Sequence, residues 1–266
     1  MIKTNRYCFF FFLLLLVFIS FSLNGCASFK SYNPATERYE FILLSSQEEI
    51  SIGKSSHQNI LKQYKFSEDQ NKRQRLERIG KRLAKVSDQK EFNYQFFLIE
   101  KDELNAFTTP GGYVYFFTGL FDKLKIDDAI ASVVAHEIGH SAARHIAKKF
   151  QASLGYNIIG SIVFSSVDMG SGFATQIAAM SSGTLMNIVS ASFSRQDEYE
   201  ADKLSVKYMF LAGYDLNGII ESFELLLNES KGSNVPLWLR THPYVDDRIE
   251  KIKEEIVFAP YQYKKN

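Results

Sequence analysis

Cysteine and net charge are both scarce in this 266-residue chain, and each scarcity removes a class of explanation. There are two cysteines, Cys8 and Cys26. A fold stapled by several disulfides is therefore excluded. Lys and Arg together number 31 against 30 Asp and Glu, a formal charge of +1, so the broad basic footprint of a nucleic-acid binder is missing. Local basic runs such as Lys72-Arg73 and Lys81-Arg82 are interleaved with Glu77 and with apolar Leu76, Ile79 and Leu83, the layout of a solvated face on an amphipathic helix. No internal repeat of the kind that builds helical arrays is found, and no carboxy-terminal repeat domain is expected after Arg248. Beyond the amino terminus, the largely apolar stretch from Leu154 to Val167 stops at Asp168, too short for a bilayer span.

The amino terminus supplies an address. Lys3 and Arg6 precede an apolar run from Phe9 to Phe21, followed by Leu23-Asn24-Gly25-Cys26. This order of basic, apolar and small residues is that of a bacterial signal peptide, and Leu-x-Gly-Cys resembles a lipobox. Removal of residues 1–25 would leave Cys26 as the only thiol, acylated and holding the protein on a lipid bilayer. Ala27 after the cysteine resembles an outer-membrane sorting signal. The expected location is thus the bacterial cell envelope, as a lipoprotein facing the periplasm; an uncleaved membrane anchor is the competing layout. Residues 26–44, with Pro34 and many polar side chains, read as a tether, and 45–260 as one domain.

Only five histidines are present, which makes His136-Glu137-Ile138-Gly139-His140 informative. Histidines four apart share a helix face, their Cβ atoms roughly 5–6 Å apart. Both rings can then reach one Zn²⁺ at about 2.0–2.1 Å, while the glutamate between them can act as general base. Val133, Val134 and Ile138 interleave with the motif, so the helix is expected to pack into a core. A catalytic zinc needs a third protein ligand. Ser194-Arg195-Gln196-Asp197-Glu198-Tyr199-Glu200-Ala201-Asp202 is the richest acidic helix available. On spacing alone Asp197, Glu198 and Glu200 all remain open as ligand, and acidic pairs of this kind are usually solvated.

Taken together the motifs resemble the HtpX-like and CAAX-prenyl-protease-like family of gluzincin zinc metalloendopeptidases. The resemblance rests on four blocks in family order: His136 to His140 with Arg144-His145, then Ser194-Arg195-x-x-Glu198-x-x-Ala201-Asp202. The others are Asn105-Ala106-Phe107-Thr108-Thr109-Pro110-Gly111-Gly112 running into Tyr113 to Phe116, and Thr241-His242-Pro243 with Arg248-Ile249. With Ser46 to Gly53 as an opening helix, it spans residues 46 to 255. It implies one Zn²⁺ per chain on His136, His140 and Glu198, Glu137 as catalytic base, and Asp202 accepting the outward N–H of a zinc histidine. It also implies a substrate bound as an added strand along a sheet edge, placed here at Tyr113, Val114, Tyr115 and Phe116. The implied substrates are unfolded or misassembled envelope proteins. A zinc-stabilised, chaperone-like binding lipoprotein with little proteolysis is the alternative, disfavoured because a pure binder needs no base at Glu137.

The coarse architecture is α+β and mostly helical. Helices are expected at 46–64, 67–87, from Asp127 as N-cap through His140, and at 196–212, 215–230 and 243–256. Strands are expected at 92–99 and 113–117, with a turn at Thr109 to Gly112. Glycine and serine clusters at 169–172 and 181–183 are equally compatible with lid hinges or plain packing. His242, ahead of Pro243, is open to three readings: a surface or capping residue, a latch that fills the fourth zinc position, or a donor to the oxyanion. The latch is preferred.

Overall fold

The structure, a computed structural model, describes residues 30–153, 182–230 and 235–264. The signal segment, Cys26 and most of the glycine-rich stretch between the two motif helices lie outside them. Among the described residues, no helix is long and apolar enough to cross a membrane.

An amino-terminal hairpin, β1 (Lys30–Asn33) and β2 (Arg38–Phe41), precedes α1 (Ser46–Gln63) and α2 (Gln70–Ala84). Strands β3 (Gln95–Ile99), β4 (Ala106–Thr109) and β5 (Tyr113–Phe117) lead through the short α3 (Thr118–Lys123) into α4 (Asp127–Ala142). A helix α5 occupies residues 145–153. Then come α6 (Ser182–Ser190), α7 (Arg195–Ala212), α8 (Asn217–Glu229), the one-turn α9 (Leu237–Thr241) and α10 (Val245–Gln262). The mostly helical α+β expectation holds.

The three-stranded sheet has the order β3-β5-β4. β5 runs parallel to β3 and antiparallel to β4. The expectation that Tyr113, Val114, Tyr115 and Phe116 form a free edge is therefore wrong: they are the central strand. All five β5 residues are buried, Val114 and Phe116 in the cluster with α2, α4 and α7, and Tyr113, Tyr115 and Phe117 in a second cluster with α1 and α5. A strand covered on both faces reads as a continuous apolar run, and such a run does not reveal its neighbours. Among the described residues, the unpaired edge on the active-site side belongs to β4, in the segment that leads into the turn. That turn depends on glycine: Gly111 and Gly112 have φ of +76° and +87°, and a Cβ on Gly111 would lie 2.7 Å from Ile50 Cα.

Two other readings change. Residues 30–41 are a docked hairpin rather than a free tether. Asn33 Nδ2 donates to Ala143 O at 3.1 Å, and Lys148 Nζ to Glu40 Oε1 at 2.7 Å. Tyr32, Tyr39 and Phe41 stay exposed, so polar contacts hold the hairpin down and hydrophobic patterning gives no sign of it. Ile126, not Asp127, is the N-cap of α4. Asp127 is drawn off by Arg75 Nε and Arg78 Nη2, each at 2.7 Å, while still placing negative charge in the positive first turn.

Candidate active site

Fourteen of the sixteen residues of α4 are buried, because α7 and α8 pack on it beneath β4. That burial is why the motif helix looks apolar on nearly every face. Gly139 sets the distance to α7: a Cβ there would sit 2.8 Å from Ala201 O. The helices approach closely enough for Glu198, capped into α7 by Ser194 and Asp197, to reach both histidines.

Four donors converge. His136 Nε2 lies 3.0 Å from His140 Nε2, 3.1 Å from His242 Nδ1 and 3.6 Å from Glu198 Oε2. Glu198 Oε1 is 3.4 Å from His140 Nε2 and 3.0 Å from His242 Nδ1. All four side chains are buried, and among the described residues these are the ones whose donor atoms cluster tightly enough to share an ion. Donors bound tetrahedrally at zinc distances sit about 3.3 Å from one another, close to the spacings found. Three ring nitrogens crowded around one carboxylate make little sense as hydrogen-bonding partners alone, so the donor set fits a metal ion. The electrostatics agree. Burial holds His140 well below its ordinary pKa, so it is neutral and free to donate a lone pair. Burial would raise Glu198, but Arg248, His242 and His140 outweigh it and hold the carboxyl well below its usual range.

Glu137 is fully buried beside this cluster. Trp238 Nε1 donates to its Oε1 at 3.2 Å, and Oε2 has no hydrogen-bond partner among the described residues. A buried carboxylate oxygen left bare is costly unless something uses it. Trp238, the only tryptophan, also stacks on His242 with ring centroids 4.6 Å apart. Phe193 lies over His140 at 3.7 Å. Neither aromatic carried a signal in the sequence beyond its neighbourhood to a motif.

Around the donors lies a shell of partners. Asp202 Oδ1 is 2.9 Å from His136 Nδ1, and Asp202 in turn accepts two parallel bonds from Arg248, Nε at 2.7 Å and Nη2 at 2.8 Å. Arg248 Nη1 reaches Glu198 Oε2 at 2.5 Å and donates to His242 O at 3.0 Å. One buried guanidinium thus ties α7 to the His242 loop, a role that its place in a motif did not disclose. Glu200 points away, toward His145 and Arg38, which leaves Glu198 as the acid in the cluster. Tyr113 to Phe116 take no part in the donor set. Their place along the cleft is taken by Asn105, Phe107 and Thr108, which line a slot of about 30 Å³ together with Glu137, Phe193 and His242. That is room for about one water molecule.

A family model, Peptidase family M48, matches residues 70–256. The beta-barrel assembly-enhancing protease of Escherichia coli K12 is 31% identical over 183 residues, 66% of this chain but 37% of that protein. The mitochondrial metalloendopeptidase OMA1 of Schizosaccharomyces pombe is 30% identical over 180 residues, covering 67% of this chain and 51% of its own length. The metalloprotease YcaL of Escherichia coli K12 is 28% identical over 187 residues, 67% and 70% of the two chains. This chain therefore spans little more than a third of the first of these relatives and about half of the second. The matched region contains both motif helices, the sheet and the His242 loop, and the chain belongs to peptidase family M48, the gluzincin metallopeptidases that its motifs resemble.

Proposed function

We propose that this chain is a zinc-dependent metalloendopeptidase of the bacterial cell envelope that cleaves unfolded or misassembled proteins. The observation that carries the reading is the convergence of His136, His140 and Glu198 beside a Glu137 whose buried Oε2 has no partner among the described residues. Bound at those three side chains, zinc would lower the pKa of a water to about 7 and polarise the scissile carbonyl. Glu137 Oε2 accepts the proton of the attacking water and returns it to the leaving amine. Trp238 keeps Oε1 occupied, so the carboxylate cannot rotate away from that task. Asp202, held by Arg248, takes the outward nitrogen of His136 and fixes its orientation.

The substrate would lie along the free edge of β4, using backbone hydrogen bonds that tolerate many sequences. Asn105, at the head of that edge, lines the slot with a buried Oδ1 that has no partner among the described residues, as an acceptor for a substrate amide would. Signal-peptide removal at Cys26, its acylation and periplasm-facing anchoring at the outer membrane complete the reading. They are supported by the sequence layout and by a relative whose name refers to beta-barrel assembly.

His242 is assigned as a latch. This reading is supported by its Nδ1 among the donors and its Nε2 3.5 Å from Glu137 Oε1, where the ring would stand in the way of an attacking water. An oxyanion donor would flank that position instead of filling it. The narrow slot agrees with a resting, closed enzyme. The same closure is what favours the second reading, a chaperone-like lipoprotein with little proteolysis. Casein degradation by the wild type and by Glu137→Gln separates the two. The protease reading expects cleavage that the substitution abolishes, and equal, negligible cleavage by both would defeat it.

A further inference from the structure

We propose that His145 is a positioning residue for His140, held in turn through Glu200 by Arg38 of the amino-terminal hairpin, so that this hairpin is part of the metal site. The proposal rests on the assignment of His140 as a metal ligand. His140 presents Nε2 to the donor cluster, and its Nδ1 lies 2.9 Å from His145 Nδ1. When Nε2 gives its lone pair to a metal, Nδ1 carries the proton and donates it, so His145 Nδ1 must be the acceptor. His145 then carries its own proton on Nε2, which faces Glu200 Oε2 at 3.2 Å and Asp197 Oδ1 at 3.5 Å. Glu200 Oε1 accepts from Arg38 Nη2 at 2.5 Å and from Gln196 Nε2 at 2.8 Å. Every proton in the chain has one place to go.

The two histidine ligands are thus served by matched arms. One is short and buried, from His136 through Asp202 to Arg248. The other is longer and reaches the surface, from His140 through His145 and Glu200 to Arg38, whose side chain is 52% exposed. Each arm ends as a carboxylate neutralised by an arginine. The second arm uses a backbone kink. Arg144 sits at φ +58°, which ends α4 and starts α5 in a new direction, turning His145 back onto His140. A non-glycine residue in that region costs energy and persists where the surroundings enforce it. Here Arg144 is fixed by hydrogen bonds to Glu49 and to Leu44 O, both buried. The hairpin is held independently by Asn33 on Ala143 O, one residue before the kink.

The test is zinc affinity, measured by competition with a chromophoric chelator on the full-length protein, with the visible spectrum of the cobalt-substituted form as a second readout. His145→Ala should raise the zinc Kd by about 10–100-fold and alter the cobalt bands. His145→Asn, which keeps an acceptor at the δ position, should recover most of the loss. Arg38→Ala should weaken zinc in the same direction by less. Unchanged zinc affinity in His145→Ala, with zinc lost in Glu198→Ala, would overturn the relay and leave the metal site standing. Recovery failing in His145→Asn would also overturn it, since the acceptor would then not matter. Zinc retained by Glu198→Ala would remove the assignment beneath it. If circular dichroism shows that His145→Ala does not fold, Glu200→Ala takes its place, with a raised Kd expected and an unchanged one refuting.

Discussion

Arg248 offers the sharpest physical test of how the site is held. Its side chain is fully buried, and it bridges Asp202, Glu198 and the backbone of the His242 loop. Arg248→Ala would leave two buried carboxylates without their main counter-charge. Removing one partner of a buried ion pair costs about 3–5 kcal/mol, because the orphaned charge stays in a poor dielectric. Two circumstances bear on where in that range the loss falls. Asp202 keeps His136 Nδ1 at 2.9 Å, and Glu198 would keep a bound metal as counter-ion, so the zinc-loaded protein should lose less than the zinc-free one. Against this, the carbonyls of His242 and Pro243 lose their donor, and the guanidinium no longer lies over Phe223 and Trp238. At 2–4 °C per kcal/mol for a domain of this size, the zinc-free melting temperature should fall by about 6–20 °C. Arg248→Lys keeps a charge but cannot make the bidentate contact, and should fall between the two. Thermal melts followed by far-ultraviolet circular dichroism, with and without chelator, make the comparison. A fall of under about 2 °C in the zinc-free protein would show that the buried network carries no such stability.

Further outcomes follow from the same geometry. His242→Ala should raise basal casein degradation; a fall of roughly 10²–10³ would instead assign the ring to the oxyanion. Because Trp238 stacks on His242, its fluorescence should change when a peptide substrate displaces the loop, and constant emission at saturating peptide would argue against displacement. Asn105→Ala should raise KM by up to about tenfold, the worth of one hydrogen bond, with kcat little altered; an unchanged KM would remove Asn105 from the substrate contacts. Glu200 is pushed up by burial but pulled down further by His145, Gln196 and Arg38, to about 2. Its folded pKa lies below the unfolded value, so its stabilising contribution is complete above about pH 4.5 and is lost as pH falls toward 2. Discounted for the partial exposure of this side chain, the shift is worth about 1–2 kcal/mol. Glu200→Gln should therefore flatten the acid limb of the stability curve, and an identical limb would refute the pairing.

Much of the site was legible because metal chemistry constrains spacing. His136, Glu137 and His140 announce themselves by helical period alone. Asp202, one turn beyond Glu198, falls where an outward imidazole nitrogen needs a carboxylate. Glu198 itself required family resemblance, since three acids share that stretch and only the packing of α7 against Gly139 turns one of them inward. The misreadings have a common cause. Strand order is a long-range property, and the aromatic alternation of Tyr113 to Phe117 is compatible with a central strand as well as an edge. β4 is four residues long and wholly buried, so it offers no alternation to detect. The hairpin at 30–41 docks through Asn33, Arg38 and Glu40 while its aromatics stay exposed, so apolar patterning hides it. Arg248 and Trp238 act through partners about 45 and 100 residues away in sequence, and no local pattern carries that information.

Metal content paired with turnover in two variants tests the central claim most directly. Purified Glu137→Gln should hold about one zinc per chain, as in a catalytic site with three protein ligands, and should fail to degrade casein. Glu198→Ala should lose both zinc and activity. Stoichiometric zinc in Glu198→Ala under moderate chelation, or casein cleavage by Glu137→Gln at the wild-type rate, would contradict the account.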